Sequence, residues 1–170
     1  KMKIAIYGPM CSGKTTVASI IQDHDKRYSI YSFGQKIKDI ANELFQMEGK
    51  DRSLLINIAD KMRDIDEDVW VKYIIRQTDK CDHCIIDDLR FQNELEYLGG
   101  WKVICLIVPD KERIKRIKHL YPNNYDDHIK NMKHISENDK LRLPSDTIYL
   151  HTDVPKDVLI SNVISSLNLE

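Results

Sequence analysis

Short apolar runs alternate along the chain with longer segments in which apolar residues recur every three to four positions. The short runs predict buried parallel strands, and the longer segments predict amphipathic helices. Strands are predicted over residues 3–7, 28–32, 84–88, 101–108 and 146–150. Helices are predicted over residues 14–23, 35–46, 54–65, 69–78, 91–98, 110–120 and 156–167. This alternation predicts an α/β fold with a parallel β-sheet covered by helices on both faces.

The pattern departs from simple alternation in two regions. Between residues 34 and 79 helices follow one another without a strand, which predicts a helical substrate-binding insertion. Residues 110–139 are predicted to form a lid, in which a basic helix is followed by a polar, exposed loop over 122–139 that contains His128 and His134. The chain has 170 residues and no repeat or linker, so one domain over 1–170 is predicted.

Composition narrows the classes of function. Lys and Arg number 26 against 27 Asp and Glu, and this balance argues against a dedicated nucleic-acid-binding protein, which would carry a basic excess. No apolar run approaches the roughly 20 residues that span a bilayer, so no membrane partner is expected. The N-terminal segment lacks the apolar core of a signal peptide, and the cysteines fit a reducing compartment, so we expect a cytoplasmic location. The sequence leaves a homodimer open.

Residues 8–15, with the sequence GPMCSGKT, match G-x-x-x-x-G-K-[ST], the phosphate-binding P-loop. The motif follows a predicted strand and opens a predicted helix, so its backbone N–H groups point toward bound phosphates. Lys14 is predicted to bridge the β- and γ-phosphates of ATP, and the Thr15 hydroxyl to bind Mg²⁺. We interpret Cys11 as a small filler of the loop. The predicted ATP-binding residues are Gly8, Cys11, Ser12, Gly13, Lys14, Thr15 and Thr16.

Charged residues at two further places are candidates for the chemistry. Asp87 and Asp88 end a predicted strand, where one carboxylate is expected to hold Mg²⁺ with Thr15 and the other to cap the next helix; Asp88 is the predicted ligand. Arg90 could grip a phosphate through its guanidinium fork, or form a surface salt bridge. Arg113 and Arg116 share a helix face and could reach the transferring phosphate, although such charges usually form a solvated face.

Beyond these motifs, the sequence resembles the deoxynucleoside monophosphate kinases of bacteriophages and large DNA viruses, a branch of the P-loop kinases. The resemblance follows the same order over most of the chain. Apart from the P-loop, it is carried by residues 32–45, by 63–71, by IDDLRFQNE over 86–94, which is similar to D-V-R-F-x-N-E, and by HISE over 134–137. Residues 151–153 depart from the Asn-Gly turn that the family tends to have there.

The resemblance implies a role for five side chains outside the P-loop. Lys36, Arg63 and Arg90 are expected to meet the phosphate of a nucleoside monophosphate, and Phe33 and Trp70 to lie near its base or in the pocket wall. The resemblance also implies that Arg113 and Arg116, on the basic helix, are oriented toward the lid. The implied reaction transfers the γ-phosphoryl group of ATP, with Mg²⁺, to a (deoxy)nucleoside 5′-monophosphate for DNA precursor supply.

Two alternatives stay open, a different small-molecule P-loop kinase and a non-catalytic nucleotide-binding module. Phe33 and Trp70 favour a flat base over a sugar acid as the acceptor, and the intact set of Lys14, Thr15 and Asp88 favours catalysis. A GTP-dependent switch protein is disfavoured, because the elements D-x-x-G and N-K-x-D do not occur in the sequence.

Overall fold

The computed structural model describes residues 2–133 and 140–169. Within these residues, five parallel strands form one sheet in the order β2-β3-β1-β4-β5. The strands are β1 (Met2–Tyr7), β2 (Ser29–Tyr31), β3 (His83–Leu89), β4 (Lys102–Ile107) and β5 (Ile148–His151). All five coincide with predicted strands to within two residues. The predicted α/β fold with a parallel sheet is therefore confirmed.

Helices cover both faces of the sheet. They are α1 (Lys14–His24), α2 (Phe33–Phe45), α3 (Arg52–Ile65), α4 (Val69–Thr78), α5 (Gln92–Tyr97), α6 (Asp110–Leu120), α7 (Tyr125–Lys130) and α8 (Lys156–Ser166). Every predicted helix is present, with ends displaced by at most two residues, as helix ends usually are. Among the described residues, no helix combines the length and the apolar character that crossing a membrane requires.

The prediction of an exposed loop over 122–139 is wrong where the structure describes it. Helix α7 and a 3₁₀ turn (Asn131–Lys133) lie there, and His128 is fully buried. Polar side chains of this segment form hydrogen bonds with α3, including Asn131 Nδ2 to Ser53 Oγ at 2.8 Å, so its polar composition does not mean exposure. His134 and the rest of the HISE segment lie outside the described residues.

Two apolar layers flank the sheet, one on each face. Ile85 packs in the layer with α1 and α8, whereas Ile86 packs in the layer with α2, α3 and α4. Side chains of a strand alternate between the two faces. The pairing of β3 with β1 shifts register between Ile86 and Leu89, which both pack in the second layer, so the simple alternation ends before Asp87 and Asp88.

Candidate active site

A cavity of about 670 Å³ lies at the carboxyl edge of the sheet. The carboxyl ends of parallel strands meet at one edge, which is where α/β proteins bind their ligands. Eleven predicted site residues line the cavity: Cys11, Ser12, Gly13, Lys14, Thr15, Thr16, Phe33, Arg63, Asp88, Arg90 and Arg116. Four others do not line it: Gly8, Lys36, Trp70 and Arg113.

The P-loop has the geometry of a phosphate cradle. A Cβ on Gly8 would lie 2.5 Å from Ser12 Oγ and 3.1 Å from Leu106 Cβ, so any larger residue would displace the Ser12 side chain. Gly13 has a φ of 99°, and Cys11 has a φ of 59°, a left-handed conformation that is uncommon for a residue other than glycine. The buried Ser12 Oγ has no hydrogen-bond partner among the described residues. A buried polar atom of this kind fits a bound phosphate oxygen.

Lys14 lies folded against its own loop. Its Nζ donates to the carbonyl oxygens of Gly8, at 2.5 Å, and Pro9, at 3.1 Å. Asp87 is close enough to interact with this ammonium. Burial and the neighbouring Asp88 raise the pKa of Asp87 to about 6, and Lys14 opposes that rise. Asp87 is thus the carboxylate of the pair that faces the P-loop.

Asp88 is engaged at the start of α2. Its carboxylate accepts hydrogen bonds from Ser32 Oγ at 2.8 Å, from the backbone N–H of Phe33 at 2.9 Å and from that of Gly34 at 2.8 Å. These bonds satisfy N–H groups that a helix start otherwise leaves unpaired. Asp88 therefore joins the end of β3 to α2.

The residues present fit a magnesium ion that shares its ligands with a bound nucleotide. The Thr15 hydroxyl and one carboxylate at the end of β3 are hard oxygen donors, which Mg²⁺ prefers. The described residues contain no cluster of three or more His, Cys, Asp or Glu side chains suited to a metal. An ion held here would therefore take its remaining ligands from phosphate oxygens and water.

Arg113 and Arg116 hold the P-loop from behind. Arg113 Nε donates to the carbonyl oxygen of Met10 at 2.8 Å, and Arg116 Nη1 to that of Cys11 at 3.1 Å. Arg116 also donates through Nη2 to the carbonyl oxygen of Thr152 at 2.8 Å. Arg113 is only 5% exposed, so the interpretation of this face as solvated is wrong for it. By binding the loop carbonyls, the two arginines fix the backbone of Met10 and Cys11.

A second group of side chains surrounds Arg63. Its guanidinium lies 4.2 Å from the centroid of the Phe91 ring, 3.3 Å from an oxygen of Asp60 and 4.0 Å from one of Glu94. The buried Glu94 carboxylate also accepts the backbone N–H groups of Arg90 and Phe91, each at 3.0 Å. Burial raises the pKa of Glu94 to about 7, while Arg63 and the two N–H groups oppose the rise. Glu94 thus connects the two arginines predicted to meet the acceptor.

The structure moves two predicted contacts away from the cavity surface. Lys36 is exposed, and Lys38 lines the cavity in its place. Two residues along a helix turn the side chain by about 200°, so the two lysines face opposite directions. Trp70 is buried, and its Nε1 donates to the carbonyl oxygen of Ala59 at 3.3 Å. Since Ala59 lines the cavity, Trp70 supports the wall from behind.

Comparison with known sequences decides the family. The sequence family described as AAA domain matches residues 4–140, most of the chain. The chain belongs to the AAA domain family. No curated protein matches it.

Solved structures share the fold of this AAA domain protein at low sequence identity. A sugar kinase from Janibacter sp. HTCC2649 has 15% identity and a TM-score of 0.65, covering 99% of this chain and 95% of that chain. A gluconokinase from Sinorhizobium meliloti 1021 has 14% identity and a TM-score of 0.63, with 98% and 91% covered. A shikimate kinase from Aquifex aeolicus vf5 has 17% identity and a TM-score of 0.54, with 98% and 96% covered. The chain therefore has the fold of small-molecule P-loop kinases, and the finer resemblance to the viral enzymes stays a prediction.

The sequence analysis identified only Arg63 on the face of α3 that lines the cavity of this AAA domain protein. The residues that line it recur every three or four positions, the spacing of one helix face. They are Arg52, Leu55, Ile56, Ala59, Asp60 and Arg63. Because Arg63 was already a candidate, counting back three turns from it identifies Arg52. Lys50, just before α3, also lines the cavity.

Proposed function

We propose that this protein is a kinase that transfers the γ-phosphoryl group of ATP to a (deoxy)nucleoside 5′-monophosphate, giving ADP and the diphosphate. The donor half of this proposal is supported by the P-loop cradle, the position of Lys14 and the fit of Thr15 and Asp87 to Mg²⁺. The AAA domain family and the kinase fold agree with it.

The charge of the cavity carries the acceptor half of the proposal. Its lining contains twice as many cationic as acidic side chains. The cations are Lys14, Lys38, Lys50, Arg52, Arg63, Arg90, Arg116 and Lys156, and the acids are Asp60, Asp87, Asp88 and Glu94. The raised pKa values of Asp87 and Glu94 weaken the negative charge, and the lowered pKa of Lys50 weakens the positive charge by a smaller share. A cavity with this excess fits two phosphorylated substrates better than one triphosphate and an uncharged or singly charged acceptor.

The apolar part of the lining supports a nucleobase. Phe33 and Phe91 line the cavity together with Ile37, Leu55 and Ile56. Flat aromatic and aliphatic surfaces bind a planar base, whereas a polyhydroxylated acid needs hydrogen-bonding side chains around its hydroxyl groups. The solved kinases that share the fold make a sugar or sugar-acid kinase the second candidate.

The chemistry needs positioning and charge stabilisation more than proton transfer. An acceptor phosphate is already anionic at neutral pH, so no general base is required. Bound Mg²⁺ would neutralise charge on the donor phosphates. Lys14 would stabilise the charge on the transferring group, while Arg90 and Arg116 would hold acceptor and donor in line.

The experiment supplies ATP and Mg²⁺ with a panel of deoxy- and ribonucleoside monophosphates, and in parallel with gluconate and shikimate. We expect ADP and the matching diphosphate with at least one monophosphate, separated by ion-exchange chromatography. The Lys14→Ala variant is the control for contaminating kinases. Phosphorylation of a sugar acid alone would support the second candidate, and no product from any acceptor would support a non-catalytic nucleotide-binding module.

A further inference from the structure

Four side chains form a cluster where the start of α3 meets α7, named here the Lys50–Arg52 cluster: Lys50, Arg52, Tyr121 and His128. Arg52 Nε donates to His128 Nδ1 at 2.8 Å, and both residues are buried, with 7% of Arg52 and none of His128 exposed. The rings of Tyr121 and His128 stack with centroids 3.9 Å apart. Lys50 Nζ lies 3.5 Å from the Tyr121 hydroxyl and 5.6 Å from its ring centroid.

Hydrogen bonds from the segment around α7 hold this cluster in place. Asn124 Nδ2 donates to the carbonyl oxygen of Lys50 at 2.8 Å. The Asp127 carboxylate accepts both the hydroxyl and the backbone N–H of Ser53. The contact between α3 and α7 is therefore specific, and it brings Lys50, Arg52 and Tyr121 to the cavity surface.

The cluster adds positive charge between the two halves of the cavity. Lys50 faces Arg52 on α3, Lys38 on α2 and Arg90 after β3, with the Cys11 thiol of the P-loop and the Tyr121 hydroxyl also near it. In residues 2–133 and 140–169, no carboxylate lies within 4 Å of its ammonium. Burial and the three cations lower the pKa of Lys50 to about 7. Cations brought together in this way are stabilised by an anion bound between them.

We propose that Lys50 and Arg52 bind a phosphate group of the substrates between the P-loop and Arg90, and that His128 is a positioning residue that orients the Arg52 guanidinium. Neutral His128 can accept the Arg52 Nε–H only through an unprotonated Nδ1. Burial, with Arg52 and Lys50 nearby, lowers the pKa of His128 to about 4, so the ring is neutral at physiological pH. The Arg52 guanidinium therefore reaches the cavity with its Nε edge held by His128.

The first test measures proton uptake on ligand binding by isothermal titration calorimetry in buffers of different ionisation enthalpy. Near pH 8, a lysine with a pKa of about 7 is mostly neutral, and an adjacent phosphate restores its charge, so up to about 0.9 of a proton is taken up. Phosphate groups are fully ionised at this pH and contribute little uptake of their own. The titrants are MgATP and, separately, the nucleoside monophosphates.

Two variants make this uptake specific to Lys50. Lys50→Arg keeps a permanent charge and should lose the uptake while still binding, whereas Lys61→Arg, exposed on α3, should keep it. Lys50-dependent uptake with MgATP assigns the site to the donor phosphates, and uptake with a monophosphate assigns it to the acceptor; either supports the proposal. Equal uptake in wild type and Lys50→Arg with both titrants overturns it.

The second test concerns Arg52 and His128, and it rests on the proposed function because it needs turnover. Arg52→Lys should lower kcat by about tenfold or more, since the ammonium lacks the Nε donor and the planar fork. His128→Leu should lower kcat similarly, and His128→Gln, whose amide oxygen can accept the bond, should recover most of it. Thermal unfolding is measured in parallel.

A wild-type kcat in Arg52→Lys, or equal kcat values in the two folded His128 variants, overturns the positioning role. Without turnover on any acceptor, the proposed function fails, whereas the MgATP calorimetry still decides the phosphate site.

Discussion

The two parts of the cavity proposed to bind ATP and the acceptor, called here the donor side and the acceptor side, are built in different ways. The donor side is one continuous segment, residues 8–16, whose backbone forms the cradle. The acceptor side is assembled from side chains of three separate segments, 32–38, 50–63 and 88–94. A contiguous motif makes backbone contacts that depend on glycines at fixed spacing, and so it is visible in the sequence. A site made of dispersed side chains depends on which way each helix and strand faces.

The two sides also differ in what holds them. On the donor side, Arg113 and Arg116 donate hydrogen bonds to neutral carbonyl oxygens, those of Met10 and Cys11 respectively. Carboxylates anchor the acceptor side: Asp88 holds the start of α2, and Glu94 holds Arg63 and the residues after β3. Carbonyls do not titrate, whereas buried carboxylates do. The raised pKa values of Glu94 and Asp87 should therefore make the stability of the site depend on pH.

Removing the charge of Lys14 tests the donor side and should have the largest effect. Lys14→Ala should lower kcat by about a hundred- to a thousandfold, about 3–4 kcal/mol, because the cation stabilises charge on the transferring group. Its ammonium donates to loop carbonyls and packs in no apolar layer, so the fold should persist, which circular dichroism would check. Turnover within about threefold of wild type would place Lys14 away from the reacting phosphates.

Protonation of Glu94 tests the acceptor side. Its pKa is raised from 4.5 to about 7, so between these values the folded state holds a proton that the unfolded state has lost. The free energy of unfolding therefore falls as pH rises through this range, by up to about 3 kcal/mol. Glu94→Gln should remove this fall, as measured by urea unfolding at a series of pH values.

Two controls separate Glu94 from other titrating groups. Glu96→Gln, exposed on the same helix, should keep the wild-type pH dependence. Asp87, with a pKa raised to about 6, contributes only to the lower part of the range, so Asp87→Asn should flatten that part alone. An unchanged fall above pH 6 in Glu94→Gln would show that Glu94 is not the titrating group.

The sequence predicted the fold almost completely, because apolar periodicity is a property of each segment by itself. It also predicted a P-loop at residues 8–15, where the structure has a tight loop between β1 and α1 that lines the cavity from Met10 onward, whereas the contacts of these residues with ATP stay a prediction. It could not decide between Asp87 and Asp88, since Ile85 and Ile86 are both apolar and a strand buried on both faces hides its own alternation. The sequence placed His128 in an exposed loop, because the partner on α3 that compensates its burial, Arg52, lies 76 positions away along the chain.

Arg90 tests whether the acceptor side holds a phosphate. Arg90→Lys keeps the charge and loses the planar fork, so the KM of the monophosphate should rise by about tenfold or more, about 1.4 kcal/mol, with ATP affinity nearly unchanged. Arg76→Lys, exposed on α4, is the control. If Arg90 formed only a surface ion pair, worth about 0–1 kcal/mol, lysine would replace it with little loss. A loss confined to ATP binding would move Arg90 to the donor side.

Asp87 and Asp88, at the end of β3, lie at the boundary between the two sides. Removing one of these charges at a time should give the smallest changes in the free energy of unfolding. Asp88→Asn should lower the free energy of unfolding by about 1 kcal/mol, because an amide presents one acceptor oxygen to three donors at the start of α2. Asp87→Asn should leave the free energy of unfolding above pH 6 unchanged or raise it, since it removes a partly buried charge beside Asp88.

Magnesium dependence gives the same pair a second, independent measurement. Asp87 is the carboxylate near Lys14, so Asp87→Asn should raise the Mg²⁺ concentration that gives half-maximal turnover, whereas Asp88→Asn should not. The opposite outcome, with the magnesium requirement shifted only in Asp88→Asn, would restore Asp88 as the ligand that the sequence predicts. It would also mean that the carboxylate leaves the start of α2 when nucleotide binds. Nucleotide binding on the donor side would then remove the hydrogen bonds of Asp88 to the start of α2, the helix that carries Phe33 and Lys38 on the acceptor side.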